Sequence, residues 1–186
     1  GSLNGTKTYP TGKFGTALKI TDGYWNFDSN ITSHFSPTLK ATVSQWMLLD
    51  GVSSSSIMII GNLSGCGQFF PGFVLNTGAS AYEKIYLGGN QCSATTVDYL
   101  PFNLSFSSSL RHVVLVLNGN NTVTAYVDNI LVGTVTTTGW STYVLSGVAT
   151  SYSGGQNILT KTVDQIEIYN RALTPTEVTT LYTQAA

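Results

Sequence analysis

Residues 110–137 read LRHVVLVLNGNNTVTAYVDNILVGTVTT. His112 to Leu117 places apolar side chains on both faces, as a strand buried on both sides requires. Asn118-Gly119-Asn120-Asn121 is turn chemistry, because Gly and Asn accept positive φ at little cost. Val123, Ala125 and Val127 then alternate with Thr122, Thr124 and Tyr126, the period-2 pattern of a half-exposed strand. Asp128-Asn129 forms a second tight turn, and Ile130 to Thr136 returns as a third strand. This segment is an antiparallel three-stranded meander.

The same signals recur along the chain. Strands are expected at 17–20, 24–27, 42–49, 57–60, 72–76, 84–87, 143–148 and 162–169, separated by runs of Gly, Asn and Ser. Ser53 to Ser56 and Ser107 to Ser109 read as exposed loops. Only one helix is persuasive. Thr174 suits an N-cap, Pro175 the first helical position, and Glu177 the carboxylate of a capping box. Val178, Leu181 and Tyr182 then form one apolar stripe. About two turns of helix do not stand alone, so this one should dock on the sandwich and cover a sheet end. The expected fold is all-β, a sandwich or barrel of short antiparallel strands with one short C-terminal helix. Residues 1–186 read as a single domain, with Gly1-Ser2 set apart as a cloning remnant.

Composition narrows the function. Charged residues make up 9% of the chain and the formal net charge is −1, against roughly 25% charged residues in ordinary soluble domains. No Lys or Arg run tracks a phosphate backbone, which argues against nucleic acid as a partner. No apolar run approaches the roughly 20 residues needed to span a bilayer, so membrane insertion is not expected. Two cysteines, Cys66 and Cys92, fit one disulfide in an oxidising compartment or two separate buried thiols. Neither has the close partner of a zinc site. Sequons stand at Asn4, Asn30, Asn62, Asn103 and Asn120, little more than this Ser/Thr-rich composition produces by chance.

Three blocks carry a family resemblance. Gly12-Lys13-Phe14-Gly15-Thr16-Ala17-Leu18-Lys19-Ile20 with Asp22-Gly23 is similar to the opening strand of laminin-G-like, concanavalin A-like lectin/glucanase jelly rolls. Leu110 to Val116 and Thr124 to Asn129 resemble their central meander. Val163-Asp164-Gln165-Ile166-Glu167-Ile168-Tyr169-Asn170-Arg171-Ala172-Leu173-Thr174 resembles their closing strand. The blocks stand in the family's order and bracket nearly the whole chain. Two positions depart from it: Asn129 replaces the usual Gly after the meander Asp, and Arg111 replaces the Trp often found before the meander His. Residues 51–101 match no motif. The resemblance implies an all-β, two-sheet antiparallel jelly-roll sandwich closed by the short C-terminal helix, often one structural calcium ion, and binding to glycans or proteins. Asp22 and Asp164 occupy positions that lie near the calcium site in similar domains, where hard oxygen ligands suit the ion.

Catalysis is not expected. Glycosidases on such folds need two carboxylates facing one cleft. The chain has only three glutamates: Glu83, Glu167 and Glu177. Glu177 serves the helix cap, and Glu83 stands alone in a loop. Glu167 lies three residues from Asp164, so on a regular strand the two face opposite sides. His112 reads as a structural residue of the meander and His34 as a loop residue. Ligand contacts are sought instead among loop aromatics, since rings meet the C–H faces of sugars. Trp140, between Gly139 and Ser141, is the first choice, with Tyr143 and Tyr152. Phe69-Phe70, Tyr82 and Tyr99 also occupy loop-like positions. Trp46 is assigned to the core. The expected function is a non-catalytic module on a secreted, cell-surface or virion protein, binding carbohydrate or glycoprotein. The other reading is a structural adhesion or fibre-tip domain that contacts proteins or copies of itself.

Overall fold

The computed structural model describes the backbone of residues 2–26, 39–50, 57–58, 72–76, 82–89, 97–102, 109–136, 147–148 and 160–184. It describes side chains at 3, 5–21, 39–48, 109–136 and 162–184. Within these, two antiparallel sheets and one helix form a jelly-roll sandwich. The large sheet holds β1 (Ser2–Thr8), β2 (Leu18–Asn26), β3 (Lys40–Asp50), β8 (Arg111–Asn118), β9 (Thr122–Val127), β10 (Ile130–Thr136) and β12 (Thr160–Tyr169). Their spatial order is β1-β2-β12-β3-β8-β9-β10, with β11 (Gly147–Val148) also pairing with β2. The second sheet runs β4 (Ile57–Met58), β5 (Gly72–Asn76), β6 (Tyr82–Gly89), β7 (Val97–Phe102). α1 spans Pro175–Thr183.

The meander forms as its pattern dictates. β8 is buried through its length and β9 alternates buried with half-buried residues. Asn121 (φ 60°), Asp128 (φ 48°) and Asn129 (φ 65°) take the left-handed conformations the turns require. Elsewhere the structure differs from the sequence pattern. The segments 17–20 and 24–27 merge into the single strand β2. β1 and β7 were not expected as strands. Glu83, Tyr82 and Tyr99 lie in strands, not loops: Tyr82 and Glu83 in β6, Tyr99 in β7.

The two faces of the large sheet have different chemistry. The inner face is aliphatic, with Ala41, Val43, Met47, Val113, Leu115, Leu117, Val123, Ala125, Val127 and Val163 all buried. Gln45 is the buried polar residue of this face; its amide reaches Met47 Sδ at 3.8 Å and its carbonyl oxygen has no partner among the described residues. The outer face carries Thr42, Ser44, Trp46, His112, Val114 and Val116, and α1 lies on it. Val178 and Leu173 pack on Val114 and Val116, with Tyr126, Tyr169, Ala172 and Leu181 around them. Burying such an apolar stripe stabilises a helix too short to persist in water.

The turn into α1 is fixed by hydrogen bonds. Thr42 Oγ1, fully buried, donates to the Arg171 carbonyl (2.9 Å) and accepts from the Leu173 N–H (3.0 Å). The expected capping box is present: Thr174 Oγ1 accepts the Glu177 N–H, and Glu177 Oε2 accepts the Thr174 N–H. Arg171 pairs with Glu177 at 2.7 Å. That hydrogen bond, then those from Thr174, hold the Glu177 carboxyl down at about 2.

Candidate functional site

The outer face of β3, β8 and β12 carries the polar and aromatic groups that the described residues bring together. Trp46 is buried as expected, but beneath α1 and not between the sheets. β3 register sets it opposite His112 on one side and Asp164 on the other. Tyr182 of α1 stacks on its indole with centroids 5.6 Å apart, and His112 lies 4.9 Å away on a nearly parallel plane. Phe14 meets Trp46 edge-on at 6.1 Å, and the Lys13 ammonium sits 4.8 Å from the ring centroid. Tyr182 was legible as part of the helix stripe. Lys13 lay inside an opening block read only for its strand.

His112 is structural, as its place in the meander suggested. Its Nε2 is 2.9 Å from Ser44 Oγ, its backbone N–H donates to Asp128 Oδ1, and Nδ1 has no partner among the described residues. Burial disfavours the imidazolium and lowers the pKa to about 4, with Asp128 opposing in part. Asp128 Oδ2 forms an ion pair with Arg111 Nε.

β12 contains a bulge that sequence reading missed. Asp164 pairs with Trp46, but Glu167, three residues on, pairs with Ser44, only two residues from Trp46. Gln165 absorbs the extra residue at φ 47°. Asp164 and Glu167 therefore share the outer face, contrary to the regular-strand expectation. They do not form a free acid pair. Asp164 Oδ2 accepts the Phe14 N–H at 3.0 Å, and Oδ1 accepts the Gln165 N–H at 2.9 Å. Glu167 Oε2 accepts the Tyr169 hydroxyl at 2.8 Å. Burial, then that bond to Glu167, raises the Tyr169 pKa to about 12.

The two aspartates expected near calcium are not brought together. Leu18 pairs with Val163, so Asp164 lies at the Ala17 end of β2, whereas Asp22 is beyond the Ile20–Lys161 pair. At about 3.3 Å per residue that separation exceeds any shared coordination sphere. Both Asp164 oxygens accept backbone N–H groups, which makes this carboxylate an anchor for the opening turn. Among the described residues no group of three His, Cys, Asp or Glu side chains converges. Trp140, Tyr143, Tyr152, Cys66, Cys92 and His34 lie outside the described residues.

Two clefts flank the Trp46–Tyr182 stack. One, of about 260 Å³, is lined by Phe14, Ser44, Trp46, Gln165, Glu167 and Gln184, among others. The other, of about 580 Å³, is lined by Lys13, Trp46, Arg111, Asp128 and Tyr182 together with Ser109. Both combine ring edges with hydroxyl, amide or charged groups. Such surfaces hydrogen-bond hydroxylated ligands while covering their apolar faces.

No curated protein matches the chain. Among solved structures it is similar to domain 4 of the extracellular arabinanase AbnA of Geobacillus stearothermophilus, solved with arabinotriose. The TM-score is 0.69 at 15% identity, covering 97% of this chain and 82% of that one. It is also similar to the binding domain of Paraclostridial Mosquitocidal Protein 1, with TM-score 0.61 and 16% identity, over 97% of this chain but 47% of that one. Trypanosoma rangeli sialidase in complex with sialic acid gives TM-score 0.68 and 17% identity, over 97% of this chain and 29% of that one. The chain thus spans less than half the length of two of these three, and the likeness is one of fold. A family profile, that of the concanavalin A-like lectin/glucanases superfamily, matches residues 15–179. With the meander, the closing strand and the docked helix in place, the chain belongs to the concanavalin A-like lectin/glucanases superfamily.

Proposed function

We propose that this chain is a non-catalytic binding module for carbohydrate or glycoprotein, carried by a protein that works at a cell or virion surface or outside the cell. The observation that carries the reading is the outer face: two clefts of ring edges, amides and hydroxyls around the Trp46–Tyr182 stack. The fold likeness to an arabinanase domain solved with arabinotriose supports it. So does the state of the outer-face acids. Asp164 and Glu167 are each tied to a structural donor, and a glycosidase needs such a pair free to handle protons. Trp140, Tyr143 and Tyr152 belong to the proposal as ligand-facing rings.

A glycan array probed with the isolated chain, with calcium and again with chelator, tests the reading. Reproducible retention on one glycan class is the expected result. A blank array from demonstrably folded protein overturns it and moves the weight to adhesion. One observation favours that second reading: Ile130 and Leu131 are 70% and 57% exposed on the edge strand β10. A dimer or trimer in light scattering, dispersed by Ile130→Lys, would support it.

A further inference from the structure

The larger cleft is unusual for a chain with so few charges. Lys13 and Arg111 both line it, in a protein whose net charge is −1. The carboxylate lining it, Asp128, is already used: Oδ1 accepts the His112 N–H and Oδ2 pairs with Arg111 Nε. Lys13 is different. Among the described residues no carboxylate pairs with its ammonium, which is held only over the Trp46 ring. The Tyr182 hydroxyl likewise has no hydrogen-bond partner among the described residues, and its ring lines the same cleft, stacked on Trp46. About a quarter (26%) of the Arg111 side chain is open to solvent here. The cleft therefore offers two cations and a hydroxyl as donors, beside aromatic edges, with its one acidic group committed to the fold.

We infer that this cleft takes the anionic group of an acidic sugar, a carboxylate or sulfate, with Lys13 as the primary contact and Tyr182 and Arg111 beside it. The inference rests on the carbohydrate-binding reading and names the ligand class. The Lys13 ammonium and the Arg111 guanidinium donate and cannot accept, and an anionic oxygen satisfies such charged donors more strongly than a neutral sugar hydroxyl does. The aromatic edges cover the pyranose C–H face. Asp128 offsets the charge of Arg111, so Lys13 supplies the net positive charge of the cleft, in a protein with little field elsewhere to compete for an anion.

The test is calorimetric titration of the whole chain with a glucuronate-terminated oligosaccharide, sialyllactose and a sulfated disaccharide, with lactose as the neutral comparator. Acidic sugars should bind at least about tenfold tighter than lactose, and the preference should weaken with added salt. Which acidic sugar binds tightest separates carboxylate from sulfate recognition. Lys13→Gln should abolish the preference and Lys13→Arg should retain it, both melting as the parent does, because Lys13 is exposed. Tyr182→Phe should weaken the acidic ligands alone. Equal binding of acidic and neutral sugars overturns this inference while leaving the binding-module reading standing. No binding of any sugar overturns both. Capture of an acidic peptide in place of acidic sugars also overturns it, as does undiminished binding by Lys13→Gln.

Discussion

Asp164 Oδ2 accepts the backbone N–H of Phe14 at 3.0 Å across 150 residues of chain, and the same oxygen lies 2.3 Å from where a Cβ on residue 12 would stand. One carboxylate thus fastens the opening turn to the closing strand, and only glycine fits beside it.

Removing the anchor should be costly. Asp164→Ala leaves the Phe14 and Gln165 N–H groups without their acceptor and should destabilise by about 2–4 kcal/mol in urea titration. Gly12→Ala, which also meets the Ala17 nitrogen at 2.9 Å, should cost about 2 kcal/mol. The melting temperature in chelator should equal that in calcium. A fall of several degrees in chelator would instead assign Asp164 to a metal.

Thr42 is the second anchor. It bonds both Arg171 and Leu173 from a fully buried site. Thr42→Val keeps the shape and removes both bonds, so the Leu173 N–H is left buried without an acceptor. A loss of about 1–3 kcal/mol is expected. Thr42→Ser should recover most of it, and helical circular dichroism follows α1 directly.

His112 sets an acid limit. Its folded pKa of about 4 lies below the ordinary value of 6.5. The unfolded chain therefore binds more protons between pH 6.5 and 4. Stability should be full above pH 6.5 and decline as pH falls through this window, by on the order of 2–3 kcal/mol. His112→Asn should flatten that decline even at lower overall stability. Glu177, depressed to about 2, adds a later loss below its ordinary 4.5. An unchanged slope in the histidine variant, from denaturant titrations at successive pH values, would show that other groups cause the decline.

Trp140 is the first choice among the three ligand rings proposed from sequence, Trp140, Tyr143 and Tyr152. Trp140→Ala should keep the parent melting temperature and lose glycan retention by about tenfold. A folded variant that binds as the parent does removes Trp140 from the site.

The meander and helix were legible because alternation, Asn/Gly turns and a capping box each state one local preference, and all agreed. β1 was not, because SLNGTKT is a polar edge strand with little apolar alternation to read. Pro101 likewise disguised β7. The outer-face site was legible only in part. Tyr182 and His112 stood in recognised elements, but nothing in Asp164-Gln165-Ile166-Glu167 announces a bulge, since Gln165 takes a conformation usually left to Gly or Asn. Trp46 was read as core because sequence gives burial and not which face is buried.

The bulge makes β12 two half-strands in opposite phase. Before it, Val163 points inward; after it, Ile168 does, opposite Val43. Strike out Gln165 and Asp164 and Glu167 become two residues apart, a regular step in which Glu167 and Tyr169 stay outward and Ile168 stays inward. Strike out Ile168 instead and Tyr169 takes its place opposite Val43, driven among the aliphatic side chains of the interior. This strand should therefore tolerate loss of the extra residue far better than loss of a paired one.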